Sequence, residues 1–155
     1  LQESVDAGFE ALAALGVEAA VIVAHSKGGL IGKAMLLVPR SEPILRGMVA
    51  VATPFSGSKF WKRVQSNRWI RRSPLDLFHP ENVLLVELSA ADRVNAKIVS
   101  LAPEFDQMIP QGSELVGATN RTIPIEGHFR VASDPRVWPL VHHWVDRFWN
   151  QERAG

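Results

Sequence analysis

Two patterns of apolar residues recur along the chain. Apolar residues at helical spacing predict helices, and short, almost wholly apolar segments predict strands. Residues 2–15 carry apolar side chains at helical spacing, which predicts a first helix. The segment Ala19 to Ala24 (AAVIVA) is short and almost wholly apolar, as is typical of a strand buried on both faces. A tight turn containing two glycines follows, and residues 30–38 predict a second helix, which Pro39 ends. The first forty residues therefore predict a buried strand that leads through a sharp turn into a helix.

Later apolar runs continue the same pattern. They predict strands at residues 46–52, at about 97–101 and at 121–125. A final helix is expected from Pro135 to about Asn150, with Ser133 or Asp134 as its N-cap. Its predicted inner face consists of Val137, Leu140, Val141, Trp144, Val145 and Phe148. Because buried strands separated by helices imply βαβ units, the sequence predicts an α/β fold with about four parallel strands.

Residues 55–90 interrupt this alternation of strands and helices. They are rich in aromatic side chains, and six basic residues lie between Lys59 and Arg72. We interpret them as a cap or lid of short helices inserted over the site. The sequence contains no repeat or linker that would separate a second domain, so residues 1–155 are expected to form a single domain with residues 55–90 as its cap.

Composition excludes several classes of function. Hydrophobic residues make up 46% of the 155 residues and charged residues 21%, as expected of a folded protein. The formal net charge of +1 argues against nucleic acid as the main partner. The sequence has no cysteine and no histidine pair at metal spacing, so we predict neither a metal nor a cofactor. Localisation is not determined; the cytoplasm is slightly favoured, and the start without Met is compatible with a missing upstream targeting segment.

The turn after the first strand carries the strongest chemical signal. In Ala24-His25-Ser26-Lys27-Gly28, a serine stands between a buried strand and a helix, where strain in the backbone would lift its hydroxyl clear of the sheet. The small residues Ala24 and Gly28 would allow strand and helix to approach closely. The N–H of Lys27, at the start of the helix, would contribute to an oxyanion hole. The alternative is a glycine-rich turn or phosphate loop, but the spacings of the known phosphate loops are absent.

A serine nucleophile needs a base and an acid that orients the base. Asp106 follows the third predicted strand in APEFDQMIP, and His128 follows the fourth in EGHFRV. Asp106 could instead form a turn, and Glu104 is a nearby competitor. His25 adjoins the serine, and we expect it to pack beside it. Asp106 and His128 are therefore candidates for the acid and the base that Ser26 needs.

These motifs resemble those of the α/β-hydrolase superfamily, and in particular its bacterial lipases and esterases. The elbow resembles the family's G-x-S-x-G, with Ala24 in place of the first glycine. Residues 52–58 (ATPFSGS) are similar to the A-T-P-x-x-G-S stretch of lipase-like members, and the Asp106 loop to D-x-x-[VI]-P. The resemblance implies the order Ser, Asp, His along the chain, and thus Ser26, Asp106 and His128 as a catalytic triad. It also implies the C-terminal half of the hydrolase fold. It further implies that the first half of the sheet, with a second oxyanion donor, lies on an upstream segment.

The resemblance implies a serine hydrolase that cleaves carboxylic esters through an acyl-enzyme. Thioesterase or acyltransferase activity is the nearest alternative, and a non-catalytic binding or scaffold protein is the alternative from another class. The residues expected to contact the ester substrate are His25, Phe55, Phe60, Trp61 and Trp69. The basic cap could rest on an anionic membrane surface, although an ordinary amphipathic helix explains it slightly better. An open edge at the elbow strand predicts a further partner, either the N-terminal half of the domain or a second copy of the chain.

Overall fold

The computed structural model describes residues 1–40, 44–60 and 77–151. Its α-helices and strands, in chain order, are α1 (Gln2–Ala14), β1 (Ala19–His25), α2 (Lys27–Leu37), β2 (Ile44–Val51), α3 (Val83–Ala90), β3 (Ile98–Phe105), β4 (Thr119–Glu126), α4 (Arg130–Ser133) and α5 (Trp138–Asn150). A short 3-10 helix, Asn95–Lys97, leads into β3. Helices α2 and α3 thus lie between β1 and β2 and between β2 and β3, whereas no helix lies between β3 and β4.

In the described part of the chain the sheet has four strands in the order β1-β2-β3-β4, and every neighbouring pair is parallel. This confirms the α/β fold and the parallel sheet that the sequence predicts. In register, Ala24 pairs with Ala50, and Ala50 pairs with Ser100. The carboxyl ends of the strands therefore meet along one edge of the sheet. Within the described part of the chain β1 is an outer strand, and the side chain of Val23 on it is 47% exposed.

Two apolar layers cover the two faces of the sheet, because successive side chains of each strand point to opposite faces. Met48 and Ala50 of β2 belong to the layer that includes Leu30 of α2 and Leu85 of α3. Val49 and Val51 belong to the layer that includes buried residues of β3, β4 and α5. Those buried residues are Val99, Leu101, Ile123, Ile125, Val141 and Phe148. The sheet is thus packed on both faces, which explains why β2 has no alternation of polar and apolar residues.

Several element boundaries differ from the prediction by a few residues. Strand β3 continues to Phe105, so Asp106 directly follows the strand instead of lying in a longer loop. The predicted N-cap of the last helix is wrong, because α5 begins at Trp138. The carboxylate of Asp134 instead accepts hydrogen bonds from the backbone N–H and the guanidinium of Arg136, which close a separate turn before α5. The prediction that Leu140 faces inward is also wrong, since its side chain is 40% exposed.

The region predicted as a cap is described in part. Residues 55–60 and 77–90 lie within the described residues, whereas residues 61–76, with Trp61, Trp69 and five of the six basic residues, lie outside them. Helix α3 has one buried side, formed by Leu85 and Leu88, which pack in the same layer as Phe55. The described part of this region is therefore anchored in the core.

Lys33 on α2 is a buried charge that the sequence does not predict. Its side chain is fully buried, and its Nζ has no hydrogen-bond partner among the described residues. Burial lowers the pKa of Lys33 to about 8, although the negative charge of Asp92 acts in the opposite direction. The amine can therefore lose its proton much more readily than an exposed lysine.

Candidate active site

Ser26 lies at the junction between β1 and α2. Its backbone has φ 54° and ψ −123°, a conformation that residues other than glycine rarely adopt. The N–H of Ser26 donates to the carbonyl oxygen of Val51, at the end of β2, over 2.9 Å. The strand therefore ends at the residue before the serine and the helix begins at the residue after it, as the elbow motif predicts.

The close approach of the helix occurs at a different glycine from the one predicted. A Cβ at Gly28 would lie 3.5 Å from the Cβ of Ala24, an ordinary contact. A Cβ at Gly29 would lie 2.0 Å from the Oγ1 of Thr53, which no side chain could accommodate without movement. The packing of the elbow thus requires a glycine at position 29, because α2 contacts the segment after β2 there.

Asp106 is buried, with 6% of its surface exposed, directly after β3. Its Oδ1 accepts hydrogen bonds from the backbone N–H groups of Met108 and Ile109, at 2.8 and 2.9 Å. Burial alone would raise the pKa of Asp106, but the hydrogen bond and charge of His128, with the two backbone donors, lower the pKa below its ordinary value. The carboxylate is therefore ionised at neutral pH and fixed in orientation.

His128 connects Asp106 with Ser26. It follows β4 and is 3% exposed. Its Nδ1 lies 2.8 Å from Oδ2 of Asp106, and its Nε2 lies 2.9 Å from Oγ of Ser26. Because an ionised carboxylate can only accept, Nδ1 carries the proton, and in the neutral ring Nε2 is then free to accept the hydrogen of the serine hydroxyl. The structure thus brings together all three residues predicted as a triad, although they are far apart in sequence.

A small cavity of about 160 Å³ opens beside the Ser26 hydroxyl. Its lining consists of Ser26, Pro54, Ser58, Phe78, Met108, Ile109, His128 and Phe129. Most of this lining is apolar, and it includes no aspartate, glutamate, lysine or arginine among the described residues. The hydroxyl of Ser58 is already engaged, since it donates to the carbonyl oxygen of Met108. The cavity can therefore hold a small uncharged group next to Ser26.

The other predicted substrate contacts lie elsewhere or outside the described residues. Phe55 is 2% exposed in the core and does not line the cavity beside Ser26. Phe60 is 37% exposed and does not line it either. Trp61 and Trp69 are not described. Lys27 is the first residue of α2, so its backbone N–H has no acceptor within the helix, as an oxyanion donor requires.

His25 lies behind His128 and not in the cavity beside Ser26. Its ring centroid is 4.8 Å from that of His128, and its Nε2 lies 2.9 Å from the backbone oxygen of His128. On its other side is a larger apolar cavity, of about 210 Å³, between β1 and α5. That cavity touches neither Ser26 nor His128, so we relate the chemistry to the smaller one.

Sequence reasoning missed several residues of the site. Met108 and Ile109 hold Asp106 through their N–H groups and line the cavity, and Phe129 packs edge-on against His128 with centroids 5.1 Å apart. Each of these residues lies within three positions of a predicted triad member. Closeness in sequence to a triad residue is therefore the signal that could have identified them, although it does not reveal which neighbouring side chains line the cavity. Gln107 belongs to the same group, since its Oε1 accepts from the backbone N–H of His128.

Metal-binding and membrane-spanning features are both absent from the described residues. They include no group of three or more His, Asp or Glu side chains placed to hold a metal ion. Among the same residues, no helix combines the length and the apolar character needed to cross a bilayer.

A parallel sheet covered by helices on both faces, with a serine on a strained strand-to-helix turn, defines the α/β-hydrolase fold, and this chain has that fold. Comparison with solved structures agrees. A carboxylesterase structure from the ammonia-oxidizing thaumarchaeon Nitrososphaera gargenis superposes with a TM-score of 0.62 at 12% identity, over 97% of this chain and 73% of that one. A hydrolase from Pseudomonas aeruginosa PA01 superposes with a TM-score of 0.55 at 14% identity, over 94% of this chain and 70% of that one.

At such low identity these similarities concern the fold. No protein-family model and no curated protein sequence matches the chain.

Proposed function

We propose that this protein is a serine hydrolase that cleaves carboxylic esters through an acyl-enzyme intermediate. The observation that carries the proposal is the continuous chain of hydrogen bonds from Asp106 through His128 to Ser26, with distances of 2.8 and 2.9 Å. A nucleophile, a base within reach of its proton and an acid that orients the base are the three parts that acyl transfer needs.

In the first half of the proposed reaction, Oγ of Ser26 attacks the ester carbonyl carbon while Nε2 of His128 takes the hydroxyl proton. The negative charge that develops on the carbonyl oxygen is stabilised by the N–H of Lys27 at the positive end of α2. The C–O bond to the alcohol then breaks, and His128 returns the proton to the departing alkoxide oxygen. The products of this half-reaction are a free alcohol and an acylated Ser26.

In the second half, His128 takes a proton from water, whose oxygen attacks the acyl carbon. The bond to Ser26 breaks, the serine recovers its proton from His128, and a carboxylic acid leaves. Asp106 stays ionised throughout, because its low pKa opposes proton transfer from the imidazolium. Its role is to keep the proton of the neutral imidazole on Nδ1 and to stabilise the positive charge on the ring.

The cavity beside Ser26 favours a small and uncharged substrate group. Its volume of about 160 Å³ lies below the range of roughly 300–1,000 Å³ that is usual for ligand pockets. Phe78, Met108 and Phe129 supply an apolar surface, and none of the described lining residues could pair with a charged acyl group. We therefore propose esters with a short apolar acyl or alcohol group as substrates.

Two alternatives use the same fold differently. A thioesterase or an acyltransferase would have the same triad and differ in the leaving group or the acceptor of the acyl group. A non-catalytic binding protein would have the fold without turnover. The 2.9 Å contact between Nε2 of His128 and Oγ of Ser26 favours an enzyme, since a carboxylate–imidazole pair that served only the fold would not need a nucleophile within reach of its base.

A fluorophosphonate probe that reacts with activated serines tests the proposal. We expect the wild-type protein to be labelled and Ser26→Ala not to be labelled. Ser58→Ala is a matched control, because Ser58 lines the same cavity but donates to a backbone carbonyl. The control should keep its labelling. Equal labelling of wild type and Ser26→Ala would end the proposal.

A substrate panel then separates the related activities. p-Nitrophenyl esters from acetate to octanoate, and the matching acyl thioesters, should be measured with the wild-type protein. We expect the highest kcat/KM for short acyl esters. A clear preference for thioesters, or acyl transfer to an alcohol in preference to water, would support the corresponding alternative.

A further inference from the structure

Each of the four polar atoms of His128 has a hydrogen-bond partner. The four partner residues form two pairs of neighbours in the sequence. The ring nitrogens contact Ser26 and Asp106. The backbone oxygen of His128 contacts His25, the residue before Ser26, and its backbone N–H donates to Gln107, the residue after Asp106. We propose that His25 and Gln107 are positioning residues that fix the main chain of His128 relative to the nucleophile and the acid. This inference rests on the proposed function of the triad.

His25 provides the stronger of the two contacts. A carbonyl oxygen can only accept, so Nε2 of His25 must carry the hydrogen in its 2.9 Å contact with His128. Burial lowers the pKa of His25, which favours the neutral ring with its hydrogen on Nε2. The last residue of β1 thereby ties the loop after β4 to the strand that carries the nucleophile.

Gln107 forms the weaker contact on the opposite side. Its Oε1 accepts from the N–H of His128 over 3.3 Å, and its side chain is exposed. The residue before His128 is held as well, since the N–H of Gly127 donates to the oxygen of Phe105 over 2.8 Å. Gly127 has φ 105°, a conformation that favours glycine. The chain around His128 is thus held from both neighbouring loops, with the larger contribution expected from His25.

The consequence of this arrangement is kinetic. A catalytic group that is displaced by about 1 Å loses up to roughly 100-fold in rate, even when the substrate still binds. Neither side chain is among the lining of the cavity beside Ser26, so loss of either contact should lower kcat and leave KM nearly unchanged. A residue that only stabilised the fold would lower the amount of active protein instead, without altering the reactivity of the folded molecules.

The test uses pairs of variants that remove and restore each contact. His25→Phe keeps an aromatic ring but loses the donor, and His25→Gln restores an N–H at similar reach. Gln107→Met loses the acceptor, and Gln107→Glu keeps it. We expect kcat and the rate of fluorophosphonate labelling to fall about 10-fold in His25→Phe and about 3-fold in Gln107→Met, with KM within about twofold. The restoring variants should recover most of the loss. His142→Phe, an exposed substitution on α5, is the control.

A second measurement does not depend on turnover. The proton on Nδ1 of His128, hydrogen-bonded to Asp106, should give a low-field NMR signal that is lost in Asp106→Asn. We expect this proton to exchange with water several times faster in His25→Phe than in the wild type or in His142→Phe. Unchanged exchange together with unchanged labelling in His25→Phe would overturn the inference and leave the proposed function intact. If the wild type were not labelled at all, the proposed function would fail, and the exchange rates would still decide whether His25 holds His128.

Discussion

The turns after β1 and β2 share a positive φ and a matching backbone hydrogen bond but differ in their side chains. Each begins with a non-glycine residue at positive φ, Ser26 at 54° and Ala52 at 47°. In each, the N–H of that residue donates over 2.9 Å to a carbonyl on the next strand, Val51 in one case and Leu101 in the other. Two adjacent parallel strands therefore leave the sheet in the same strained way.

The comparison shows what a strained turn does and does not indicate. Ala52 is fully buried, and its turn continues into Thr53 and Pro54, whereas Ser26 faces a cavity and the imidazole of His128. The positive φ therefore reflects how these strands end and does not by itself define a catalytic site. The first turn differs because a hydroxyl, a base and an acid converge on it.

The largest effect is expected from an exchange of the two side chains. Ser26→Ala gives the first turn the side chain of the second, and it should lower ester hydrolysis by about 10⁴-fold or more, because the nucleophile is lost. Ala52→Ser gives the second turn a hydroxyl without a base, and it should gain no fluorophosphonate labelling in a Ser26→Ala background. Hydrolysis of p-nitrophenyl acetate and labelling are the measurements. Labelling of the double variant would show that strain alone activates a serine, contrary to this view.

The second largest effect on activity is expected from a substitution of the acid, Asp106. Asp106→Asn keeps the shape of the side chain but removes the charge that fixes the proton on Nδ1 of His128. The amide would favour the wrong tautomer, and kcat should fall by about 10⁴-fold with little change in KM. Glu104→Gln is a matched control, because Glu104 is exposed on β3 and is the competing candidate from the sequence. A large loss in Glu104→Gln with little loss in Asp106→Asn would reverse the assignment of the acid.

The sequence predicts the strands because each contains a short apolar run, which in β2 and β3 is buried on both faces, and it indicates the triad residues because each lies within two residues of the end of a strand. It does not predict contacts between loops, since these depend on how the turns meet at the edge of the sheet. The motif indicates Gly28 as the required small residue, yet Gly29 is the one that contacts Thr53. Ser133 or Asp134 is expected from the sequence to cap α5, but the helix begins only at Trp138, and Arg136 binds the carboxylate of Asp134.

The contact between the two turns gives a third prediction. Gly29→Ala would place a methyl group 2.0 Å from Oγ1 of Thr53, so α2 or the second turn must move. We expect a loss of about 3 kcal/mol in the free energy of unfolding, measured by urea denaturation. Gly28→Ala is the matched control, since its Cβ meets only an ordinary contact and alanine favours a helix by about 1 kcal/mol. Equal losses in both variants would mean that the two turns do not pack as closely as Gly29 and Thr53 indicate.

The smallest effect is expected from a substitution that relieves the backbone strain of the second turn. Ala52→Gly removes an unfavourable positive φ, which costs a non-glycine residue about 1 kcal/mol or more, but it adds entropy to the unfolded chain. The two terms nearly cancel, so the free energy of unfolding should stay equal or rise by up to about 1 kcal/mol. Ala50→Gly is the control, because Ala50 is equally buried two residues earlier in regular β2 and has no strain to relieve. It should lose about 1 kcal/mol. If Ala52→Gly and Ala50→Gly lowered the free energy of unfolding by the same amount, the backbone at Ala52 would carry no strain. The two turns would then resemble each other in conformation only.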